Sequence, residues 1–202
     1  MHNEVHKILQ NAQVRFASWL GRYKPWHGDN GITERNLSFQ FGTAFLNLNP
    51  TGLAFMEVPF AAESDGPVRN HIDGYFHCEN FDLLLECKVV SSESHIKAIV
   101  SDIGRMGNKL LHEQIQKSHL KEIPKKMYSV VLAETWYSKI VDWWKDKKDA
   151  DLDWSREGFP QDWHYGVVEV LHLKDENKWT LYWLYGVSPA IEVTMETYTT
   201  EH

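Results

Sequence analysis

Asp73, Glu86 and Lys88 are the residues of this chain whose types and spacing could do chemistry together. They stand in the run Asp73-Gly-Tyr-Phe-His-Cys-Glu-Asn-Phe-Asp-Leu-Leu-Leu-Glu86-Cys-Lys88. Two carboxylates held close in apolar surroundings repel one another unless a cation neutralises them. Mg²⁺ or Mn²⁺ suits such a pair, because these ions take oxygen ligands and keep part of their hydration shell. A lysine beside the ion could steady an attacking hydroxide, or the charge that builds on a phosphoryl oxygen.

A β-hairpin is the element that must bring the three together. Residues 69–78 and 81–90 are rich in apolar and aromatic side chains, and Glu79-Asn80 is the one two-residue break between them. Pairing Cys78 with Phe81 sets Asp73 opposite Glu86 and His71 opposite Lys88, with facing Cβ atoms about 5 Å apart. Glu86 and Lys88 are two apart and share a face of the strand. The run Leu83-Leu84-Leu85 is apolar on both faces, which marks an interior strand ending at the charged pair.

Asp73, twelve intervening residues and then Glu86-x-Lys88 on a hairpin resembles the PD-(D/E)xK nuclease superfamily, with Ile72 standing where the family name has Pro. The resemblance implies an α/β fold: a restriction-endonuclease-like central mixed β-sheet flanked by helices. It covers residues 33–135 of a single 1–202 domain, and 136–202 form a Trp-rich C-terminal β-hairpin elaboration. It also implies metal-dependent phosphodiester hydrolysis, with DNA as the first substrate and RNA as the second. Asp73 and Glu86 would hold the Mg²⁺ or Mn²⁺, the Cys87 carbonyl would be a further ligand, and Lys88 would position the nucleophilic water. Glu34 or Glu57 would complete the shell. The alternative is a catalytically inactive module of the same fold that mediates protein–protein or nucleic-acid contacts through its aromatic C-terminal region. A homodimer or another protein partner fits either reading.

Helical spacing of apolar residues from Val5 to Leu20 predicts a helix over 3–22, followed by a loop over Pro25 to Gly31. Thr33 offers an N-cap to a second helix that carries Glu34 in its first turn and stops at Pro50. Leu53 to Ala61 reads as a strand bearing Glu57 and Pro59, and Glu63 to Pro67 as a polar turn. After the hairpin, Ser91 and Ser92 cap a long helix from Glu93 to Lys117. Lys97, Ser101, Arg105, Asn108 and His112 fall on one side of its wheel, a rail for phosphates that His71 would join. Met127 to Thr135 is a strand and Trp136 to Lys147 a helix. His164 to Leu173 and Trp179 to Val187 form a second hairpin about Asp175 to Lys178.

The formal net charge of −7 over 202 residues argues against a broad electropositive groove, since phosphate contacts dominate the affinity of such surfaces. Local basic stripes remain compatible with it. No apolar run approaches the ~20 residues of a membrane span, and the start of the chain has no signal-peptide core. With Cys78 and Cys87 as the only cysteines, the expectation is a reducing, cytoplasmic setting without a membrane partner. Eleven histidines accompany no Cys-x-x-Cys spacing, which leaves the carboxylates as the metal-binding candidates.

Overall fold

Alternation along Asp82–Val89 sends Leu83, Leu85 and Cys87 into one apolar cluster and Leu84 into another, so this strand is covered on both faces. In a computed structural model that describes residues 1–23, 34–61, 69–119, 126–147, 150–173 and 179–191, it is β3 of a mixed six-stranded sheet. The elements in chain order are α1 (His2–Tyr23), α2 (Glu34–Leu48), β1 (Leu53–Ala61), β2 (Arg69–His77), β3, α3 (Glu93–Met106), α4 (Lys109–His119), β4 (Met127–Thr135), α5 (Ser138–Trp144), β5 (His164–His172) and β6 (Thr180–Val187). Across the sheet the order is β1-β2-β3-β4-β6-β5, with β3 and β4 parallel and every other neighbouring pair antiparallel.

Parallel neighbours need a crossover, and α3 with α4 supplies it between β3 and β4. The two faces of the sheet have separate cores. Val5, Leu9 and Phe16 of α1 and Leu37, Phe41 and Phe45 of α2 pack on Phe76, Leu85, Leu132 and Trp183. Ile96, Ile99 and Ile103 of α3, Ile115 of α4 and Trp144 of α5 pack on Leu84, Val131 and Leu184. Glu86 and Lys88 alternate with Cys87 and so belong to the second face, under α3.

Most expected elements are found, and two expectations need correction. The long helix after β3 is two helices. It breaks at Gly107 and Asn108, where Gly107 N–H bonds back to Ile103 O at 2.9 Å and Leu111 N–H restarts on Asn108 O at 3.1 Å. Gly104 and Gly107, each about 1 kcal/mol poorer than Ala in a helix, place the weak point there. The second correction concerns the C-terminal hairpin: β6 bonds along β4 from Val130↔Val187 to Thr135↔Tyr182, so the hairpin finishes the sheet instead of elaborating it from outside. Trp183 and Tyr185 of its second strand are buried, as are Trp143 and Trp144 of α5 and Trp163 just before β5. The Thr33 cap, the Pro25 to Gly31 loop, the Glu63 to Pro67 turn and the Asp175 to Lys178 turn lie outside the described residues. Among the described residues no helix is long and apolar enough to cross a membrane.

α3 is seated on its outer flank by the loop after α5. Gly158 there has φ +87°, and a Cβ on it would run into Val100 Cγ1. Gly158→Ala is therefore expected to destabilise the protein by about 1–3 kcal/mol, from backbone strain and the displaced Val100 together. Urea unfolding measures it, and an unchanged midpoint would show that the loop does not hold the helix.

Candidate metal and catalytic site

Cys78 N–H donates to Phe81 O at 3.0 Å and closes the turn at Glu79-Asn80. The ladder then runs from His77↔Asp82 to Gly74↔Leu85, the register that this turn dictates. It stops there. Ile72 and Tyr75, three residues apart, lie in the same apolar cluster, so the two-residue alternation of β2 is broken across Asp73-Gly74. On the other side of β2 the pairing passes from Met56↔Gly74 to Val58↔Ile72, and Glu57, at the level of Asp73, sits at φ 54°, a left-handed conformation rare outside glycine.

The expected cross-strand pairs Asp73–Glu86 and His71–Lys88 are therefore not formed. Beyond Gly74 the strand β2 follows β1 and parts from β3, leaving a notch between them. N–H groups of β3 that would have bonded to β2 find carboxylates instead: Cys87 N–H donates to Asp73 Oδ2 at 2.7 Å, and Val89 N–H to Glu34 Oε1 at 3.4 Å. A strand residue points its N–H and C=O to the same side, so the Cys87 carbonyl also faces the Asp73 side of β3. The Cys87 thiol points the opposite way into the core, where burial pushes it well above its ordinary range.

Glu86 and Lys88 meet α3 on the second face. Glu86 is 3% exposed, and the Arg105 guanidinium is ion-paired with it through Oε1. Arg105 also reaches Asp102 Oδ1 at 2.9 Å, within its own helix, and His71 O at 3.2 Å. Lys88 Nζ lies 3.3 Å from Asp102 Oδ2 and 3.9 Å from Glu34 Oε2. Burial, and next the Asp73 carboxylate, push the Glu86 carboxyl up to about 8, against the opposing pull of Arg105. For Lys88 burial is the largest single influence and pulls downward. The summed field of Asp102, Glu34, Glu86 and Asp73 outweighs it and holds the ammonium above its usual value.

The four carboxyl groups Glu34, Asp73, Glu86 and Asp102 thus face two cations, Lys88 and Arg105. Asp102 Oδ2 is buried without a hydrogen bond, its contact with Lys88 being an ion pair that lacks hydrogen-bond geometry. Among the described residues no group of three or more His, Cys, Asp or Glu side chains is placed to hold a metal ion. A cation here would rest on Asp73, Glu86, main-chain oxygen and water, an oxygen-only donor set of the kind Mg²⁺ accepts with one or two carboxylates. The excess of carboxyl groups over cations fits that charge.

The remaining expected residues are placed less uniformly. Glu34 enters the notch, whereas Glu57 pairs with Arg35 at 3.3 Å, with both side chains exposed. His71 joins through its carbonyl alone, and its side chain is exposed. Lys97 and Ser101 are exposed on α3, with Lys97 paired to Glu93 at 2.9 Å, and Asn108 is exposed at the helix break. His112 leaves the rail. The break turns it inward, where it is fully buried and its Nε2 bonds Met106 O at 2.7 Å. Asp102 was missed by sequence reasoning, and its signal is the i,i+3 spacing with Arg105. Elsewhere His2 and His6, one turn apart on α1, share the Tyr185 hydroxyl at 3.1 and 2.9 Å in an aromatic corner beside β5. No family model matches this chain, and comparison with curated proteins and with solved structures finds no match to it.

Proposed function

We propose that this protein is a divalent-metal-dependent nuclease of restriction-endonuclease-like fold that hydrolyses phosphodiester bonds, with DNA as its substrate class and RNA as the second. The observation that carries this is the notch itself. A hairpin held in strict register from His77 to Gly74 opens at Asp73, and Asp73, Glu86, Lys88 and Glu34 gather where it opens. Asp73 and Glu86 are the residues that would hold Mg²⁺ or Mn²⁺, with the Cys87 carbonyl on the same side. The ion, when bound, supplies Lewis acidity toward a phosphoryl oxygen and an acidified water.

The chain's own residues do the rest. Lys88, held by Asp102 and Glu34, keeps a cationic donor at the mouth of the notch, where it orients the attacking water and offsets charge on the phosphoryl oxygen. Lys97, Ser101 and Asn108 are exposed along the adjoining helix and its end, where phosphates of a bound strand would pass. Two free, buried thiols support a reducing, cytoplasmic setting.

Incubation of the protein with plasmid, linear duplex and single-stranded DNA in Mn²⁺, Mg²⁺ or EDTA tests the reading. Cleavage in either metal and none in EDTA is expected, with substrate preference showing whether ends are required. A second reading, a binding module without turnover, is favoured by one observation: Arg105 already pairs with Glu86 and so closes an ion network that needs no metal. Absence of both cleavage and Mn²⁺ binding by calorimetry would select it.

A further inference from the structure

We propose that this chain forms a twofold dimer through the open edge of β1, which joins two six-stranded sheets into one and covers an apolar strip that β1 shares with α2. The occupant of the edge is a second copy of the same chain, and the proposal is independent of the nuclease reading.

β1 is the end strand of the sheet, with β2 on its inner side. The turn closed by Cys78 and Phe81 fixes which backbone groups face outward. Cys78, Phe76 and Gly74 direct their N–H and C=O to β3, so His77 and Tyr75 direct theirs to β1, where they meet Leu53 and Phe55. Ala54 and Met56 accordingly turn their N–H and C=O to the open side. Edge strands are ordinarily blunted by charge, proline or a bulge. Here Glu57, with its left-handed backbone, and Pro59 do this only from position 57 onward. Leu53-Ala54-Phe55-Met56 has none of these devices.

The side chains along this run are apolar and exposed. Leu53 and Phe55 are each 46% exposed, with Phe55 stacked against Tyr75 on the α4 side of the sheet. On the other side Met56 is 37% exposed and lies against Gly42 of α2, where a Cβ would collide with its Cε. Arg35, Phe39, Gly42 and Leu46 form one stripe of α2 at helical spacing, and the pairing of Arg35 with Glu57 lays that stripe along β1. Phe39, 59% exposed, and Leu46, 39% exposed, therefore extend the strip. These five side chains leave on the order of 450 Å² of apolar surface in water, as much as the largest patch of an ordinary monomer. Covered on two copies, with the backbone between them, it comes to about 1,000 Å², the least that a specific interface needs.

A twofold axis through Phe55 fits the strip to itself. It sets Phe55 opposite Phe55 of the other copy and lets Ala54 and Met56 exchange N–H···O=C bonds with Met56 and Ala54 across the edge. The α2 stripes then run antiparallel, Phe39 beside Leu46 of the other copy, with Gly42 near the axis. Glu34, Arg35 and Glu57 are the charged residues of α2 and β1, and all lie toward one end. The twofold carries them to the two outer ends and leaves an uncharged centre, as in an apolar interface core with a polar rim.

Sedimentation velocity of the full chain over a concentration series tests the proposal. A monomer–dimer equilibrium is expected, with a dissociation constant on the order of 10 µM, as suits an interface of the smallest class. Phe55→Lys and Phe55→Glu each place like charges across the axis and should weaken the dimer at least about tenfold. An equimolar mixture of the two should associate again, because opposite charges then face one another. Far-UV circular dichroism checks that both variants are folded. Phe55→Cys needs no charge to be tolerated: facing Cβ atoms there would stand about 4.5 Å apart, so oxidation should give a disulfide-linked dimer. Val14→Cys, exposed on α1 away from the edge, should not cross-link. A chain that stays monomeric well above the expected dissociation constant overturns the proposal and leaves the edge to a different partner. So does a dimer that survives both charged variants, or one that their mixture fails to restore. Where the charged variants do not fold, the cysteine result decides, and absence of cross-linking at Phe55 overturns the proposal.

Discussion

Lys88→Ala is expected to lower the rate of DNA cleavage by on the order of 10²–10³-fold while Mn²⁺ binds no more weakly than before. The ammonium is a cation 3.3 Å from Asp102 and 3.9 Å from Glu34, and it adds nothing to the coordination of a metal on Asp73 and Glu86. Its removal takes away positive charge near that metal, which favours binding, and removes the donor that would face the reacting phosphate, which slows turnover. Asp73→Asn makes the complementary case. The amide oxygen can still accept the Cys87 N–H bond, now 2.7 Å to Oδ2, so the notch keeps its shape. The charge is gone, and Mn²⁺ affinity should fall at least tenfold, the minimum loss seen when even an outer partner of a metal ligand is removed. Cleavage should fall with it. The urea midpoint of Asp73→Asn should stay close to the parent value, whereas that of Lys88→Ala should fall, because Asp102 Oδ2 is left buried without its ion-pair partner; cleavage is therefore compared under conditions where both variants are folded. Full cleavage by Lys88→Ala would sink the mechanism, and full Mn²⁺ affinity in Asp73→Asn would remove Asp73 from the site.

Local rules made the hairpin legible. A two-residue break between apolar strands leaves few registers, and the Cys78–Phe81 closure set the observed one. What these rules do not carry is where a ladder ends. The Asp73–Glu86 pairing was extrapolated along a regular strand, but β2 loses its alternation at Asp73-Gly74 because it must also follow β1, and β1 is irregular at Glu57. That interruption is tertiary. It converts a cross-strand carboxylate pair into a carboxylate bonded to the backbone of β3, and it opens the notch that Glu34 enters from α2.

The helix after β3 shows the same limit in another form. One hundred degrees per residue holds only while the helix continues, and the pause at Gly107 rotated everything beyond it. Arg105, before the break, reaches the carboxylates; His112, after it, bonds Met106 O in the core. Asp102 was overlooked because it flanks the basic stripe instead of lying in it, although an acid three residues from an arginine on a helix is a recognised pair. The partner of the second hairpin was hidden for a different reason. β4 and β6 are more than forty residues apart, and strand periodicity says which face is apolar but not which edge is taken.

Metal-free protein is expected to lose stability as pH rises from about 5 to 9, and Glu86→Gln to lose less. The Glu86 carboxyl is raised from its ordinary 4.5 to about 8, so between these values the folded chain binds a proton that the unfolded chain does not. Stability then falls with rising pH. The contribution is fully present below about 4.5 and is lost as pH passes through about 8. With the group 3% exposed, the loss is on the order of a few kcal/mol at most. Glu134, buried beside Trp183 and raised to about 7, slopes the same way. It is present in both chains, so the difference between them isolates Glu86. Urea unfolding in EDTA at pH 5 should find the parent and Glu86→Gln alike, because the amide resembles the protonated acid. At pH 9 the variant should be the more stable, with Arg105 keeping Asp102 and His71 O as partners. Saturating Mn²⁺ should reverse the order at high pH, because the ion binds the ionised carboxylate in the folded state and has nothing to gain from the amide. Parallel pH profiles for the two chains in EDTA would show that Glu86 is ionised in the fold at neutral pH, with Arg105 its sufficient counter-charge.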